Sequence, residues 1–264
     1  MATTVLGLKT FAASDPVDYN EINDNYNKID NGVKTALQGR AAHNLLDNSD
    51  FRNPVNQRGK TSYSGSFNYS VDRWIISTVS GTKAANITSS GLEVTNSEGG
   101  SVYLLQRITK GTIKSEKQYT MACQFADGTI STSNGYIDIS HTAYDAINFV
   151  LPSGTIIAWA ALYEGSYTAD TIPAYQPKGY AAELAECQRY YREVYRLFGQ
   201  SVGNVAREAI ILNPPMRVAP TGTVKSIWKG TDSTAVTINT STTTYSDVTY
   251  TGWGNVTIAY SADP

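Results

Sequence analysis

Apolar and polar positions along this chain follow two periods. Between residues 16 and 38 the apolar positions are Tyr19, Ile22, Tyr26, Ile29, Val33 and Ala36, spaced 3, 4, 3, 4, 3. That spacing is a heptad seam on one face of a helix. Ser14 or Asp15 can cap the helix, and Pro16 suits its first position. Much of the rest of this helix is Asn, Asp and one Gly, all poor helix formers. Alone in water such a helix is marginal, so the seam calls for a partner. Ile22 and Ile29 fall at d, where β-branched residues disfavour a parallel dimer, so a parallel homotrimer is expected. The alternative is one helix packed on its own β domain.

From residue 41 the period changes to two. The predicted strands are Val71–Ser80, Ala84–Thr95, Ser101–Lys110, Lys117–Asp127, Tyr136–Thr142, Ile147–Pro152 and Thr155–Glu164. Turn pairs such as Ser90-Gly91, Gly99-Gly100, Asn134-Gly135 and Ser153-Gly154 punctuate them. Residues 41–178 therefore read as one β-sandwich or barrel. Thr171–Pro177 reads as an ordered linker. A connecting helix is expected over 179–198, where Leu184, Cys187, Tyr191, Val194 and Phe198 step 3, 4, 3, 4. It forms either a second bundle or a helix packed on the adjoining β domain. Residues 199–264 predict a small β head with strands Glu208–Leu212, Thr221–Trp228, Thr234–Thr240, Tyr245–Thr251 and Val256–Tyr260. The fold class is thus mainly β, with an N-terminal arm and helix over 1–40.

Composition narrows the chemistry. Charged residues are 17% and the net charge is −2, so nothing resembles the basic face of a nucleic-acid binder. Eighteen Tyr and abundant Thr suit half-buried pleated surfaces. Cys123 and Cys187 lie outside any CxxC pair and are expected as buried free thiols, not a zinc site. No apolar run spans a membrane, and Met1–Ser14 does not read as a signal peptide.

Catalytic signals are weak. Asp138, Ser140, His141 and Asp145 look like a triad when written out, but on a continuous strand Asp138 and His141 face opposite ways. No carboxylate pair is singled out for glycoside hydrolysis, and no phosphate-binding loop is present. No catalytic residue, cofactor or metal is assigned; a structural calcium stays open. Binding signals are better. Trp228 and Asp232 share one turn-like segment, and Gly252-Trp253-Gly254 reads as a loop, where binding residues tend to sit. Tyr245, Asp247 and Tyr250 lie between them. Flat rings beside Asp and Thr make a saccharide-binding palette. The concave face of the β domain is the other option, with no residue singled out there. Trp74 and Trp159 read as core, with Arg73 in a local ion pair.

Two stretches carry a resemblance. One is Asn44-Leu45-Leu46-Asp47-Asn48-Ser49-Asp50-Phe51, followed by Asn53-Pro54-Val55-Asn56-Gln57-Arg58-Gly59 and Asp72-Arg73-Trp74. The other is Glu183-Leu184-Ala185-Glu186-Cys187-Gln188-Arg189-Tyr190-Tyr191. Together they resemble tail-fibre and receptor-binding proteins of tailed phages and prophages, over roughly residues 44–200. The resemblance implies a jelly roll like that of carbohydrate-binding modules. It also implies a virion protein made in the host cytoplasm without a signal peptide. Residues 1–40 would attach to tail or baseplate proteins, and the protein would adhere to a host cell-surface polysaccharide. A non-adhesive baseplate or tail adaptor, a bacterial carbohydrate-binding module and a small depolymerase are the alternatives.

Overall fold

The computed structural model describes residues 18–38, 43–65, 68–229 and 235–262, side chains at 34–38, 68, 199–205, 229 and 252–253 excepted. The protein is mainly β. Helix α1 (Tyr19–Gln38) leads into a sandwich of eleven antiparallel strands. These are β1 (Ser62–Ser64), β2 (Asn68–Tyr69), β3 (Trp74–Ser77), β4 (Lys83–Thr88), β5 (Gly91–Asn96), β6 (Val102–Thr109), β7 (Tyr119–Phe125), β8 (Ile130–Ser131), β9 (Gly135–Asp138), β10 (Tyr144–Leu151) and β11 (Thr155–Glu164). One sheet runs β1-β4-β5-β11-β7-β8 and the other β2-β3-β6-β10-β9. Ala84–Thr95, predicted as one strand, is the β4–β5 hairpin closed at Gly91. Gly91 has φ +140°, and a Cβ there would strike the Ile157 carbonyl, so only glycine fits.

Alternation explains the core. Trp74 and Ile76, Leu104 and Ile108, and Ile147 and Phe149 point inward from one sheet; Leu92, Val94, Cys123, Ile157, Ala160 and Leu162 point inward from the other. A bulge between Ile157 and Trp159 shifts β11 by one position. Past it, Trp159, Ala161 and Tyr163 face outward, and the segment after β11 covers them with Ile172, Tyr167 and Tyr175. Tyr175 lies flat on Trp159, rings 4.8 Å apart at 2°. The outer face of the six-stranded sheet is therefore covered.

Both motif stretches meet in one buried polar knot. The Asn48 side chain accepts the Val55 N–H (2.6 Å) and donates to the carbonyls of Val55 (2.9 Å) and Asp72 (2.7 Å). The Asn48 N–H donates to Glu183 (2.7 Å). Arg73, at φ +73°, pairs with Asp47 at 3.4 Å, donates to the Arg107 carbonyl and lies over the Tyr190 ring. This pair reaches Asp47, 26 residues away in the chain.

The predicted 179–198 helix is corrected. Helix α2 spans only Tyr180–Gln188, and strand β12 (Tyr191–Ile211) begins three residues later. Residues 191–198 fit a strand as well as a helix: Val194 and Phe198 face one side, Glu193, Tyr195 and Leu197 the other. Pairing with the C-terminal strand and the β preference of Tyr, Val and Phe win. Arg192 donates to the Gln188 carbonyl, meeting one of the orphan groups at the end of α2. The seam named for oligomerisation is therefore not a helical face. Cys187 is 1% exposed and Tyr191 7% exposed inside their own chain, and Val194 lies on a strand. Burial raises the thiol pKa of both cysteines, Cys123 to about 12.

In the head, β13 (Thr221–Lys229) and β14 (Ala235–Ser241) lie beside β15 (Tyr245–Ser261), which pairs with β12 along its other edge. Register shifts at Phe198–Ala206 bend the long strands, so the two halves enclose Phe198, Ile210, Val248, Val256, Ile258 and Tyr260. A Cβ on Gly222 of β13 would come within 2.7 Å of Ile238 on β14, which shows how closely the halves approach. Asn213–Pro214 is cis. Among the described residues no helix is long and apolar enough to cross a membrane.

Candidate functional site

Among the described residues no segment covers the outer face of the five-stranded sheet, which holds a cleft of about 410 Å³. Its walls follow from register. Ser77 is opposite Tyr103, Leu105 opposite Asn148, and Asn148 in turn opposite Tyr136. Arg107 is opposite Ala146, and Ala146 opposite Asp138. Residues of β3, β6, β10 and β9 that alternate outward thus form one lattice. Leu105 and Ala146 give it an apolar floor, and Tyr103, Tyr136 and Tyr144 stand around them.

Several of these groups are held in place. The Arg107 guanidinium lies over the Tyr144 ring at 4.4 Å, and the His141 ring lies 4.4 Å from it, tilted 32°. His141 Nε2 is 3.3 Å from Asp138 Oδ2. The sequence expectation that these two diverge is overturned, because β9 ends at Asp138 and the chain turns before β10. Hydrogen bonds from Ser140 lower the Asp138 pKa, with a smaller contribution from His141. Asn148, nearly buried, uses its amide only in a 3.5 Å bond to the Ala146 carbonyl, among the described residues. Its remaining donor and acceptor capacity is unused among the described residues.

The triad-like run does not assemble. Asp145 points to the opposite face, where it accepts the N–H groups of Gly111 (3.0 Å) and Ile113 (3.2 Å) and pairs with Lys110. Asp138 is the single carboxylate among the described residues lining the cleft, whereas glycoside hydrolysis uses two. Among the described residues no three His, Cys, Asp or Glu side chains converge as a metal site.

The binding residues predicted in the head are dispersed. Trp228 is 64% exposed on β13, opposite Asn255, with Leu197 exposed on the far side of Asn255. Tyr245 and Asp247 flank a shallow depression with Arg207, which bonds Asp247 at 2.7 Å. Tyr250 stacks on Phe198 at 4.2 Å and lies partly buried against the head core. Gly252 and Gly254 pair within β15, so the loop reading of this segment is corrected. Asp232 and the Trp253 side chain lie outside the described residues. The cleft residues were missed because they sit on four strands. The available signal was an aromatic on the polar side of each alternating run, at Tyr103, Tyr136 and Tyr144. Comparison with protein families, curated proteins and solved structures finds no match for the chain.

Proposed function

We propose that this chain is an adhesion protein of the phage tail-fibre or receptor-binding kind, and that its sandwich is a jelly roll holding a surface saccharide. The cleft on the five-stranded sheet carries the reading: three tyrosine rings over an apolar floor, with an arginine, an asparagine and an aspartate at its sides. Such concave sites combine apolar area with a few placed polar groups. The rings cover the apolar face of a pyranose, and Asn148, Arg107 and Asp138 meet its hydroxyls. Copies joined through α1 as a homotrimer turn weak single contacts into avidity. Residues 1–40 attach the trimer to tail or baseplate proteins.

A second reading puts contact in the head, favoured by the exposed row of Leu197, Trp228 and neighbouring Tyr195 on one sheet face. Adsorption of labelled full-length protein to a panel of bacterial strains and a glycan array separates the two. The sandwich reading expects Tyr144→Ala to weaken saccharide binding about tenfold, roughly 1.4 kcal/mol, while Trp228→Ala leaves it unchanged. The reverse pattern moves the site to the head. No binding by folded wild-type protein leaves a structural tail adaptor.

A further inference from the structure

A second cleft, of about 390 Å³, opens where the sandwich meets the head. Arg58, Lys60, Tyr63 and Tyr69 line it from the sandwich, and Tyr191 and Lys225 from the head. Three cations converge there in a chain whose net charge is −2, and among the described residues no carboxylate lines the opening. The nearby acids are occupied. Asp72 is buried behind the cleft and holds Arg58 at 2.7 Å, and Glu193 accepts the Tyr191 hydroxyl.

Arg58 is held on both faces, with its guanidinium 4.9 Å from the Tyr69 centroid and 3.9 Å from that of Tyr191. Lys225 sits at the bulge where β13 slips against β15 between Val224 and Ser226. Among the described residues the Lys60 and Lys225 ammonium groups make no ion pair or hydrogen bond. Their charge faces a polar cavity walled by tyrosines.

We propose that this junction cleft binds an anionic group, carboxylate or phosphate, carried on a saccharide. That the carrier is a saccharide rests on the function proposed above; the anion site itself does not. Lys60 and Lys225 supply the charge from two domains, and Arg58 is the preorganised anchor between them. An anion seated here bridges sandwich and head.

The test is calorimetric titration of the full chain at low salt with inorganic phosphate, glucuronate and glucose, alongside Lys60→Gln, Lys225→Gln and the double variant. Both lysines are exposed, so the variants keep the fold. Phosphate or glucuronate is expected to bind, and added salt to weaken it. Each lysine change should cost about two- to fivefold, the range of an exposed ion pair. Tyr144→Ala should leave phosphate binding unchanged, which separates this site from the other cleft. Binding of phosphate alone assigns a phosphorylated saccharide, and binding of glucuronate alone a uronate. The proposal is overturned if neither anion binds better than glucose, or if the double variant binds both as tightly as the wild type.

Discussion

Asn48 shows how much one side chain can organise. It sits at φ +50° and serves three buried backbone groups across two segments. Asn48→Ala strands those groups, at about 1–3 kcal/mol for an unpaired buried group, and loses asparagine's tolerance of the left-handed region, about 1 kcal/mol. We expect a loss of about 4 kcal/mol in urea unfolding, with Asn48→Asp intermediate because it keeps the acceptor. Equal stability of Asn48→Ala and wild type would show that the knot is not what holds these segments. Glu183 gives a pH signature. Burial raises its pKa above the ordinary 4.5, against the opposing Asn48 N–H and Lys178, while Asp47 and Glu186 add to the rise. A raised carboxyl binds its proton more tightly in the native state. Its contribution is therefore greatest below pH 4.5 and declines as pH rises through the raised value. Glu183→Gln keeps an acceptor for Asn48 without a charge to desolvate. Between pH 4 and 7 the urea midpoint of the wild type should fall relative to that of the variant; parallel curves would remove Glu183 as the cause.

At the scale of elements, α1 and β12 teach opposite lessons about the same 3-4 spacing. In α1 the seam residues Tyr19 and Tyr26 are 76% and 67% exposed, so none of the described residues covers them. Ile22→Asp with Ile29→Asp should reduce the mass by light scattering from three chains to one, with the β circular dichroism unchanged. A wild type already at the mass of one chain would end the trimer reading. From Tyr191 onward the same spacing coincides with a period of two. There, a partner strand 50 or more residues downstream decides the outcome, with Tyr191 opposite Ser261. Local pattern placed β6, β7 and β11, although only β6 approaches an alternating burial and β11 is buried on both faces. It could not assign residues 191–198, because both periods describe them and only the sheet neighbour breaks the tie.

Over the whole molecule, sandwich and head share a junction. Tyr190 lies between Arg73 of the sandwich (3.3 Å) and Arg217 of the head (5.6 Å), and Gln57 donates to the Tyr191 carbonyl at 2.7 Å. The two parts should melt in one calorimetric transition, and Tyr190→Ala should split it into two. A wild type with two transitions would mean that the junction does not couple them. The sequence alone determined the longer strands of the sandwich, though not β1, β2, β8 or the split between β4 and β5, together with the buried Trp74 and Trp159, the helical seam near the N-terminus and the two motif stretches. Those features are written in local period and side-chain type. Tertiary structure decided that the motifs are a shared structural knot, that Trp159 and Tyr163 are covered on the outer face of their sheet, and that Tyr103, Tyr136 and Tyr144 surround one cleft. It also set Tyr250 against Phe198 at the edge of the head core. Each of these depends on which strand lies beside which and in what register. Register is set by partners far apart in the chain, and a shift of one residue moves every side chain to the other face.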